Sequence, residues 1–274
     1  MVYPGATHTR FEHSLGVMHL ATQMYDAIIN DEENKTILKE KLSYNDADFE
    51  KDRQLIGLAA LLHDVGHAPF SHASEETMPI NSQTSKQYKH EDYTVAIIKE
   101  YLRETIENHQ SNSYKILSEE IVALIEGNAK ILGKISFWKC LISSQLDADR
   151  GDYLLRDSYH IGVKYGVYDY ARLINTLALG VESESDDVVL GVWEGGWHTA
   201  ESFVIARYQM FTQVVFHKTR RAFDYHLKEA IKEVLPAGKL PSPKEIEKFL
   251  DLDDFSLWAQ FKSLIAYLFY AEIL

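Results

Sequence analysis

Residues 61–72 read LLHDVGHAPFSH and place three histidines and one aspartate directly after an apolar run. The run predicts a buried helix over about residues 52–67, stopped by Pro69. A buried helix carries histidine or aspartate only where each side chain has a partner. The adjacent His63 and Asp64 offer one neutral nitrogen and one charged oxygen, which suit a divalent cation. We therefore interpret this stretch as the centre of a metal site.

Two other predicted helices offer further ligands for the same cation. A helix near the start of the chain places His13 on the same face as aliphatic residues; taken alone, this pattern is also typical of a hydrogen-bonded core histidine. A predicted helix over residues 137–160 carries the acidic run LDADRGDYLLRD. In it, Asp149 lies seven residues after Ile142 and so falls on the buried side.

Two histidines and two carboxylates form a metal site that keeps positions open for water and a phosphate. This ligand mix suits Mn²⁺, Fe²⁺, Zn²⁺ or Ni²⁺ better than Mg²⁺ alone, because Mg²⁺ avoids imidazole. A divalent metal is therefore the expected cofactor, with Mg²⁺ kept as an alternative.

Composition limits the classes of partner. The 274-residue chain is long enough for one large domain or a domain with an appendage, and its 46% hydrophobic and 25% charged residues are ordinary for a soluble globular protein. Its net charge of −13 argues against a nucleic-acid-binding surface. An anionic substrate would therefore need a metal and a local basic cluster, and the dense cluster of this chain is HKTRR at residues 217–221.

Cysteine usage and hydropathy favour a cytoplasmic protein. The single cysteine, Cys140, rules out an internal disulfide and fits a reducing compartment. The longest strongly apolar segment, residues 263–274, is interrupted by Glu272 and is too short to span a bilayer. The first residues lack a signal-peptide pattern. We expect a cytoplasmic location and no membrane partner.

Hydrophobic periodicity predicts an all-α fold with a small β-hairpin near residues 186–196, closed by Gly195 and Gly196. Residues 78–89 are polar and predict a loop. We expect residues 1–180 to form the core and residues 181–274 to continue the same domain. The predicted helices begin near residue 11 and cover residues 35–41, 52–67, 90–102, 119–125, 137–160, 199–218, 244–250 and 255–273, with another helix ending at residue 234.

The motifs FEHSLGV, LLHDVGHAPFSH, HE and DADRGDYLLRD occur in this order in the first 157 residues. Together they resemble the H…HD…D signature of the HD-domain phosphohydrolases. The flanking residues resemble the deoxynucleoside-triphosphate triphosphohydrolase branch of that family. The resemblance covers residues 3–176 in recognisable blocks and is weaker through HKTRRAF. It implies an HD-domain helical scaffold with a C-terminal helical extension.

The resemblance also implies site residues. The metal ligands would be His13, His63, Asp64 and Asp149. The residues that contact the phosphates or assist the leaving group would be Arg10, His67, His72 and His90, with Glu91 orienting His90. Asp64 would also be catalytic, through the metal that it binds.

Substrate contacts are implied in the same way. The resemblance places Arg150 near the phosphates, Tyr153 against the nucleoside and Asp157 near the sugar hydroxyl. Lys218 and Arg221 of the HKTRR cluster are further candidates, with ordinary surface charge as the alternative. Members of the branch often have aspartate where Glu75 stands, and they carry a further segment before the position of Tyr3. Selectivity for deoxyribose therefore stays open.

The implied reaction is hydrolysis of a deoxynucleoside triphosphate (dNTP) at the α-phosphorus, giving deoxynucleoside and triphosphate. The resemblance also implies a homo-oligomer, a dimer or a tetramer. One alternative is an HD-type hydrolase of nucleoside monophosphates or phosphodiesters, which would release phosphate or a nucleotide. Another is a non-catalytic nucleotide-sensing module, which would not need an open metal position.

Overall fold

The computed structural model describes residues 3–45 and 48–271, which form helices and one two-stranded sheet. The predicted all-α class with a small hairpin is confirmed. In chain order the α-helices and strands are α1 (Arg10–Asn30), α2 (Glu32–Leu42), α3 (Asp48–Leu62), α4 (His90–Ala96), α5 (Arg103–Glu107), α6 (Ser118–Glu126), α7 (Ala129–Leu132), α8 (Ala148–Ile161), α9 (Tyr170–Asn175), β1 (Leu177–Val181), β2 (Val188–Val192), α10 (Trp197–Met210), α11 (Lys218–Val234), α12 (Ile246–Leu250) and α13 (Asp254–Ala271).

Packing groups the chain into two units, each made from two chain segments. The first unit contains Met1–His63 and Arg103–Phe216, and the second contains Asp64–Leu102 and His217–Leu274. The predicted division near residue 180 remains a proposal about domain organisation. Within the described part of the chain, we find no helix with the length and hydropathy needed to cross a membrane.

Helix α1 is central to the first unit because it packs on both α3 and α8. Its inward face carries buried residues such as Val17 and Leu20, at the helical spacing read from the sequence. A capping box fixes its start. The Glu12 N–H donates to Thr9 Oγ1 over 3.2 Å, and the Thr9 N–H donates to Glu12 Oε2 over 2.6 Å. His13 therefore follows directly on a well-defined helix start.

Two glycines allow α1 and α8 to approach closely. A Cβ atom at Gly16 would overlap the carboxylate of Asp152, and a Cβ atom at Gly151 would overlap the side chain of Leu20. A larger residue at either position would require the facing side chain to move. These glycines therefore set the distance between the two helices that carry candidate ligands.

A buried hydrogen-bond chain links three side chains of the first unit. Trp138 Nε1–H donates to Tyr44 OH over 2.7 Å, and Tyr44 OH donates to Asp52 Oδ2 over 2.6 Å. Asp52 is 1% exposed, so burial raises its pKa to about 6, although the Tyr44 hydrogen bond opposes that rise. The chain of bonds holds the start of α3 against the segment that carries Trp138.

The hairpin pairs β1 and β2 antiparallel, with Leu177 opposite Val192 and Val181 opposite Val188. Asn34 of α2 is fully buried beside it. Its side-chain amide donates to Leu177 O over 3.3 Å, and its Oδ1 accepts from Leu179 N–H over 2.7 Å. The amide thus satisfies backbone groups of β1 that do not bond to β2.

The second unit has its own apolar core around α11 and α13. Helix α11 packs against the 3-10 helix Ser71–Thr77 and against α13. Tyr93 of α4 is buried in this core, and its OH donates to Pro241 O over 2.7 Å. Other buried members of the core include Ile97, Ile231, Phe249, Leu257 and Phe261.

Several predicted boundaries are corrected by the structure. The helix predicted over residues 52–67 starts earlier and ends at Leu62, because residues 63–66 form a turn. Gly66 lies in that turn with its N–H donating to Thr94 Oγ1 over 3.0 Å, and a Cβ atom there would overlap the backbone of α4. Only glycine fits this close approach, and its N–H bonds to a side chain of α4.

The helix predicted over residues 137–160 is two elements. A 3-10 helix spans Gly133–Leu141, and α8 starts after Asp147, whose side chain accepts from Arg150 N–H over 2.8 Å as an N-cap.

Strand β1 was not predicted, since only the β2 region was read as strand. The predicted loop over residues 78–89 contains a bridge between Ile80 and Gln87. The helix predicted over residues 255–273 corresponds to α13, and its last two positions lie outside the described residues.

Removing the central hydroxyl of the buried chain should destabilise the first unit. We expect Tyr44→Phe to lower the free energy of unfolding by about 1–3 kcal/mol, because Trp138 Nε1 and Asp52 lose the group that joins them. Urea denaturation followed by circular dichroism measures this change. Tyr3→Phe is the matched control, since Tyr3 OH makes only a 3.4 Å contact with Gln213 O near the surface. Equal losses in the two variants would contradict the expectation.

The buried Asp52 also predicts a pH dependence of stability. Its pKa in the folded chain is raised from 3.8 to about 6. Its contribution to stability is therefore complete below about pH 4 and is lost as pH rises through about 6. Asp52→Asn should remove this pH dependence. Between pH 4 and 7, the free energy of unfolding of the wild type should therefore fall by roughly 1–3 kcal/mol more than that of the variant. Urea denaturation at four pH values measures the difference, with Asp187→Asn in the exposed hairpin turn as control. Parallel curves for wild type and Asp52→Asn would show that Asp52 does not titrate in this range.

Candidate metal centre and imidazole cluster

The first unit brings three predicted metal ligands together. His13 comes from α1, His63 directly follows α3, and Asp149 lies in the first turn of α8. One potential ligand atom from each lies within 4.8 Å of the others. His13 Nε2 is 3.1 Å from Asp149 Oδ1, and His63 Nε2 is 3.8 Å from the same oxygen. The fourth predicted ligand, Asp64, follows His63 in the chain and belongs to the second unit.

Hydrogen bonds at Nδ1 orient both imidazoles. His63 Nδ1 is 2.8 Å from Ala60 O, and a carbonyl oxygen only accepts, so this nitrogen carries the proton. His13 Nδ1 is 2.8 Å from Asp152 Oδ2 and donates to that carboxylate. In a neutral ring, each Nε2 then presents its lone pair toward Asp149. Metal-binding histidines are held in this way by a partner on the far nitrogen.

The electrostatics of His13 favour positive charge at this place. Burial lowers the pKa of His13, but hydrogen bonds to Asp149 and Asp152 and their negative charges outweigh it and raise the pKa to about 9. A proton on His13 Nε2 and a cation near Asp149 compete for the same position. Two oriented imidazole nitrogens and a carboxylate therefore fit a divalent transition metal, and the set of ligands leaves the identity of the metal open.

Asp152 contacts a predicted metal ligand, His13, and the sequence reasoning gave it no role. Arg156 holds it by two hydrogen bonds of 2.8 Å, from Nε to Oδ2 and from Nη2 to Oδ1. Burial raises the pKa of Asp152, but His13 and Arg156 outweigh that effect and lower it. The carboxylate therefore stays ionised behind His13. Its spacing of three residues from Asp149 on one helix was the available signal.

The second unit contains a cluster of three imidazoles, those of His67, His72 and His90. The rings of His67 and His90 stack with centroids 4.0 Å apart and an interplanar angle of 13°, and His72 meets His67 edge-on at 5.0 Å. Asp64 Oδ2 is 3.4 Å from His67 Nε2. Four of the predicted catalytic residues are thus neighbours within this unit.

Glu75 joins two members of the imidazole cluster. Its Oε1 is 2.8 Å from His72 Nδ1 and 3.2 Å from His90 Nδ1, whereas the predicted partner of His90, Glu91, is 3.6 Å away. Burial raises the pKa of Glu75, but the hydrogen bond and charges of the histidines outweigh it and lower the pKa. In the structure, the carboxylate nearest to His90 Nδ1 is therefore that of Glu75, where Glu91 was expected. The sequence reasoning noted Glu75 only because related chains often have aspartate at this position.

The atoms of Asp64, His67 and His90 also lie close enough for a metal group. The stacked rings argue against that use. Imidazole lone pairs lie in the ring plane, and two nearly parallel planes 4.0 Å apart cannot both direct their lone pairs at one ion. The stacked pair therefore suits hydrogen bonding better than a shared ion, while His67, His72 and Glu75 form another group whose atoms lie close enough for an ion.

The predicted substrate contacts in the first unit have these surroundings. The Arg150 guanidinium bonds to Asp147 and to Ser144 O, so it braces the start of α8. Tyr153 is half-buried, and burial, followed by the charge of Asp149, raises its pKa to about 12. His8 Nε2 lies 2.9 Å from Asp157 Oδ1, and burial raises the pKa of Asp157. The binding roles of Arg150, Tyr153 and Asp157 remain predictions.

Three other predicted contacts are exposed. Arg10 is the first residue of α1, while Lys218 and Arg221 lie in the first turn of α11. All three side chains are exposed to solvent, and their roles in binding an anion remain predictions.

Comparison with known proteins identifies the family. Residues 10–135 match the HD domain, and residues 168–268 match the HD associated region. The chain belongs to the HD-domain superfamily. The HD match contains His13, His63 and Asp64, while Asp149 follows it in the chain. HD domains bind divalent metals, in agreement with the grouped ligands of the first unit.

Individual relatives extend this result. The chain is 34% identical over 226 residues to the uncharacterised protein YwfO of Bacillus subtilis, covering 81% of this chain and 44% of that protein. It is 28% identical over 260 residues to the "Deoxynucleoside triphosphate triphosphohydrolase SAMHD1 homolog" of Dictyostelium discoideum, covering 92% of this chain and 46% of that protein. The chain thus spans about half the length of these relatives.

A solved structure has the same fold. A crystal structure of a hypothetical protein from Aquifex aeolicus superposes with a TM-score of 0.70 at 34% sequence identity. The match covers 94% of this HD chain and 60% of the other chain.

Replacing the charged partner of His13 should weaken metal binding without removing a ligand. We expect Asp152→Asn to lower Mn²⁺ affinity about 10–100-fold, because the amide still accepts from His13 Nδ1–H but no longer supports the cation with charge. Isothermal titration calorimetry measures the affinity. Glu201→Gln is the matched control, since Glu201 bonds His198 Nδ1 over 2.8 Å at an exposed position. Unchanged Mn²⁺ affinity in Asp152→Asn would show that Asp152 does not support the site.

Proposed function

We propose that this HD chain is a metal-dependent phosphohydrolase that converts dNTPs to deoxynucleoside and triphosphate. The observation that carries the proposal is the grouping of His13, His63 and Asp149 with both imidazoles oriented through Nδ1. The name of the Dictyostelium discoideum relative supports the choice of substrate. The histidine-rich second unit supports a substrate with several phosphoryl groups.

The first-unit residues would hold a divalent cation, with Asp64 as the proposed fourth ligand. When bound, such a cation supplies Lewis acidity toward phosphoryl oxygens and favours ionisation of water. The protein itself keeps Asp152 ionised behind His13 and keeps the proton of His63 on Nδ1. The His63 tautomer leaves its Nε2 lone pair available. His13, whose pKa is raised to about 9, carries a proton at neutral pH, so a cation would have to displace that proton from Nε2.

The second-unit cluster would serve the phosphates and the leaving group. Imidazole N–H groups donate charge-assisted hydrogen bonds to phosphoryl oxygens. Glu75 accepts from both His72 and His90, so it fixes which nitrogen of each ring faces away from the carboxylate. We propose that His90, with His72 and His67, donates to the phosphate chain and supplies the proton that the departing oxygen requires.

The remaining substrate contacts follow the family resemblance. We propose that Tyr153 and Asp157 meet the nucleoside and that Arg10, Arg150, Lys218 and Arg221 meet the phosphates. We also propose a homo-oligomer, a dimer or a tetramer, which light scattering after size-exclusion chromatography would measure. The single cysteine supports a cytoplasmic location.

Product analysis tests the proposed reaction. The protein is incubated with each dNTP and Mn²⁺, and the products are separated by anion-exchange chromatography. We expect equal amounts of deoxynucleoside and triphosphate. Asp149→Asn should lower turnover by more than about a hundredfold, because it replaces a charged ligand by a neutral amide. Glu184→Gln, in the exposed hairpin turn, is the matched control and should retain full turnover.

Other products would select another function. Inorganic phosphate or a nucleoside monophosphate would support an HD hydrolase of monophosphates or phosphodiesters. Bound Mn²⁺ with no turnover of any nucleotide, also after addition of a second nucleotide as activator, would support the sensing module.

A further inference from the structure

The turn that precedes His72 has an unusual backbone. Phe70 and Ser71 both have positive φ values, 57° and 56°, and neither is glycine. The left-handed region is disfavoured for such residues because Cβ approaches the following carbonyl oxygen. Two such residues in succession persist only where the surrounding structure holds them. Hydrogen bonds from Ser71 N–H to Ala68 O over 2.8 Å and from Ala73 N–H to Phe70 O over 3.2 Å hold part of the turn, and residues far away in sequence add further contacts.

Helix α13 supplies these contacts. The Phe70 N–H donates to Asp254 Oδ1 over 2.8 Å, and Asp254 is the first residue of α13. The Phe70 ring meets Trp258 edge-on at 5.9 Å and stacks on buried Phe261 at 6.2 Å. One hydrogen bond and two ring contacts thus fix Phe70 to a helix that begins 184 residues later in the sequence.

His72 depends on this turn more than the other cluster members do. Its side chain is 64% exposed, whereas those of His67 and His90 are 3% and 21% exposed. Burial therefore does little to fix the His72 ring. Its position follows from the backbone of the preceding residue, Ser71, and from the hydrogen bond to Glu75.

We propose that Asp254 and Trp258 are positioning residues, which hold the Phe70–Ser71 turn and thereby keep His72 in the imidazole cluster. The inference rests on the proposed function in so far as His72 serves hydrolysis. Neither residue touches the cluster itself. Helix α13 would thus affect hydrolysis by holding the backbone of one turn.

The test is a double-mutant cycle in the full chain. Asp254→Ala removes the acceptor of the Phe70 N–H, while Asp254→Asn keeps an oxygen acceptor at that position. Ser71→Gly removes the Cβ that disfavours the left-handed backbone. We expect Asp254→Ala to lower kcat for dNTP hydrolysis about tenfold with little change in KM. Asp254→Asn should retain most of the activity, and Ser71→Gly added to Asp254→Ala should restore it.

Two further readouts separate positioning from general destabilisation. Histidine ring resonances in ¹⁵N-labelled protein report His72 directly, assigned by the signal lost in His72→Gln. This signal should shift in Asp254→Ala and return in the double variant. Bound Mn²⁺ per chain should stay unchanged, since His13, His63 and Asp149 belong to the other unit and the fourth proposed ligand, Asp64, lies outside the Phe70–Ser71 turn. Asp251→Ala, an exposed residue just before α13, is the matched control.

An unshifted His72 signal in Asp254→Ala would overturn the proposal, whatever the activity. A loss of kcat that Ser71→Gly fails to restore would also overturn it, because Asp254 would then act by another route. Wild-type protein without dNTP turnover would refute the proposed function alone, and the His72 signal would still decide whether α13 holds the turn.

Discussion

The imidazole of His13 lies between two carboxylates, and the first unit is arranged to make that possible. Asp149 on one side and Asp152 on the other both come from α8, so α8 must approach α1 closely. Arg156 balances part of the negative charge by a two-bond contact with Asp152. A single ring thus links helix packing, charge balance and ligand orientation, and loss of any one would disturb the other two.

His13 and His63 of the first unit are held by different means from His72 of the second unit. In the first unit, His13 and His63 have side chains that are 12% and 9% exposed, and each has a hydrogen-bond partner on Nδ1. In the second, His72 is largely exposed and follows a left-handed turn. Rigid burial suits ligands that must keep a fixed geometry. A ring held through its backbone has more freedom to meet a substrate of variable shape.

Much of the fold was predictable from the sequence, and so was the grouping of His13, His63 and Asp149. His63 and Asp64 stood out because a charged pair ended an apolar helix, and His13 and Asp149 because they fell on buried faces. Asp152 and Glu75 could not be assigned, because their roles depend on partners that only tertiary contacts provide. The break before α8 was hidden for a related reason. Asp147 was read as one of several acidic residues in a helix, whereas its side chain caps the helix start.

Strand β1 shows another limit of sequence reasoning. Its residues, LALGV, form a short apolar run that periodicity cannot distinguish from a buried helix. The segment is a strand because it pairs with β2, and Asn34, which lies 143 residues before Leu177, bonds to further backbone groups of it.

The glycines at positions 16 and 151 have a consequence for how sequence variation in this chain is interpreted. Neither is a metal ligand, yet each faces a side chain that leaves no room for a methyl group. In a deep mutational scan, both positions would be depleted of large side chains, because Asp152 or Leu20 would have to move to admit them. Intolerance at a position therefore measures the closeness of two helices as readily as it measures chemistry. Residues needed for helix packing can be distinguished from metal ligands only when folding and metal content are measured alongside activity.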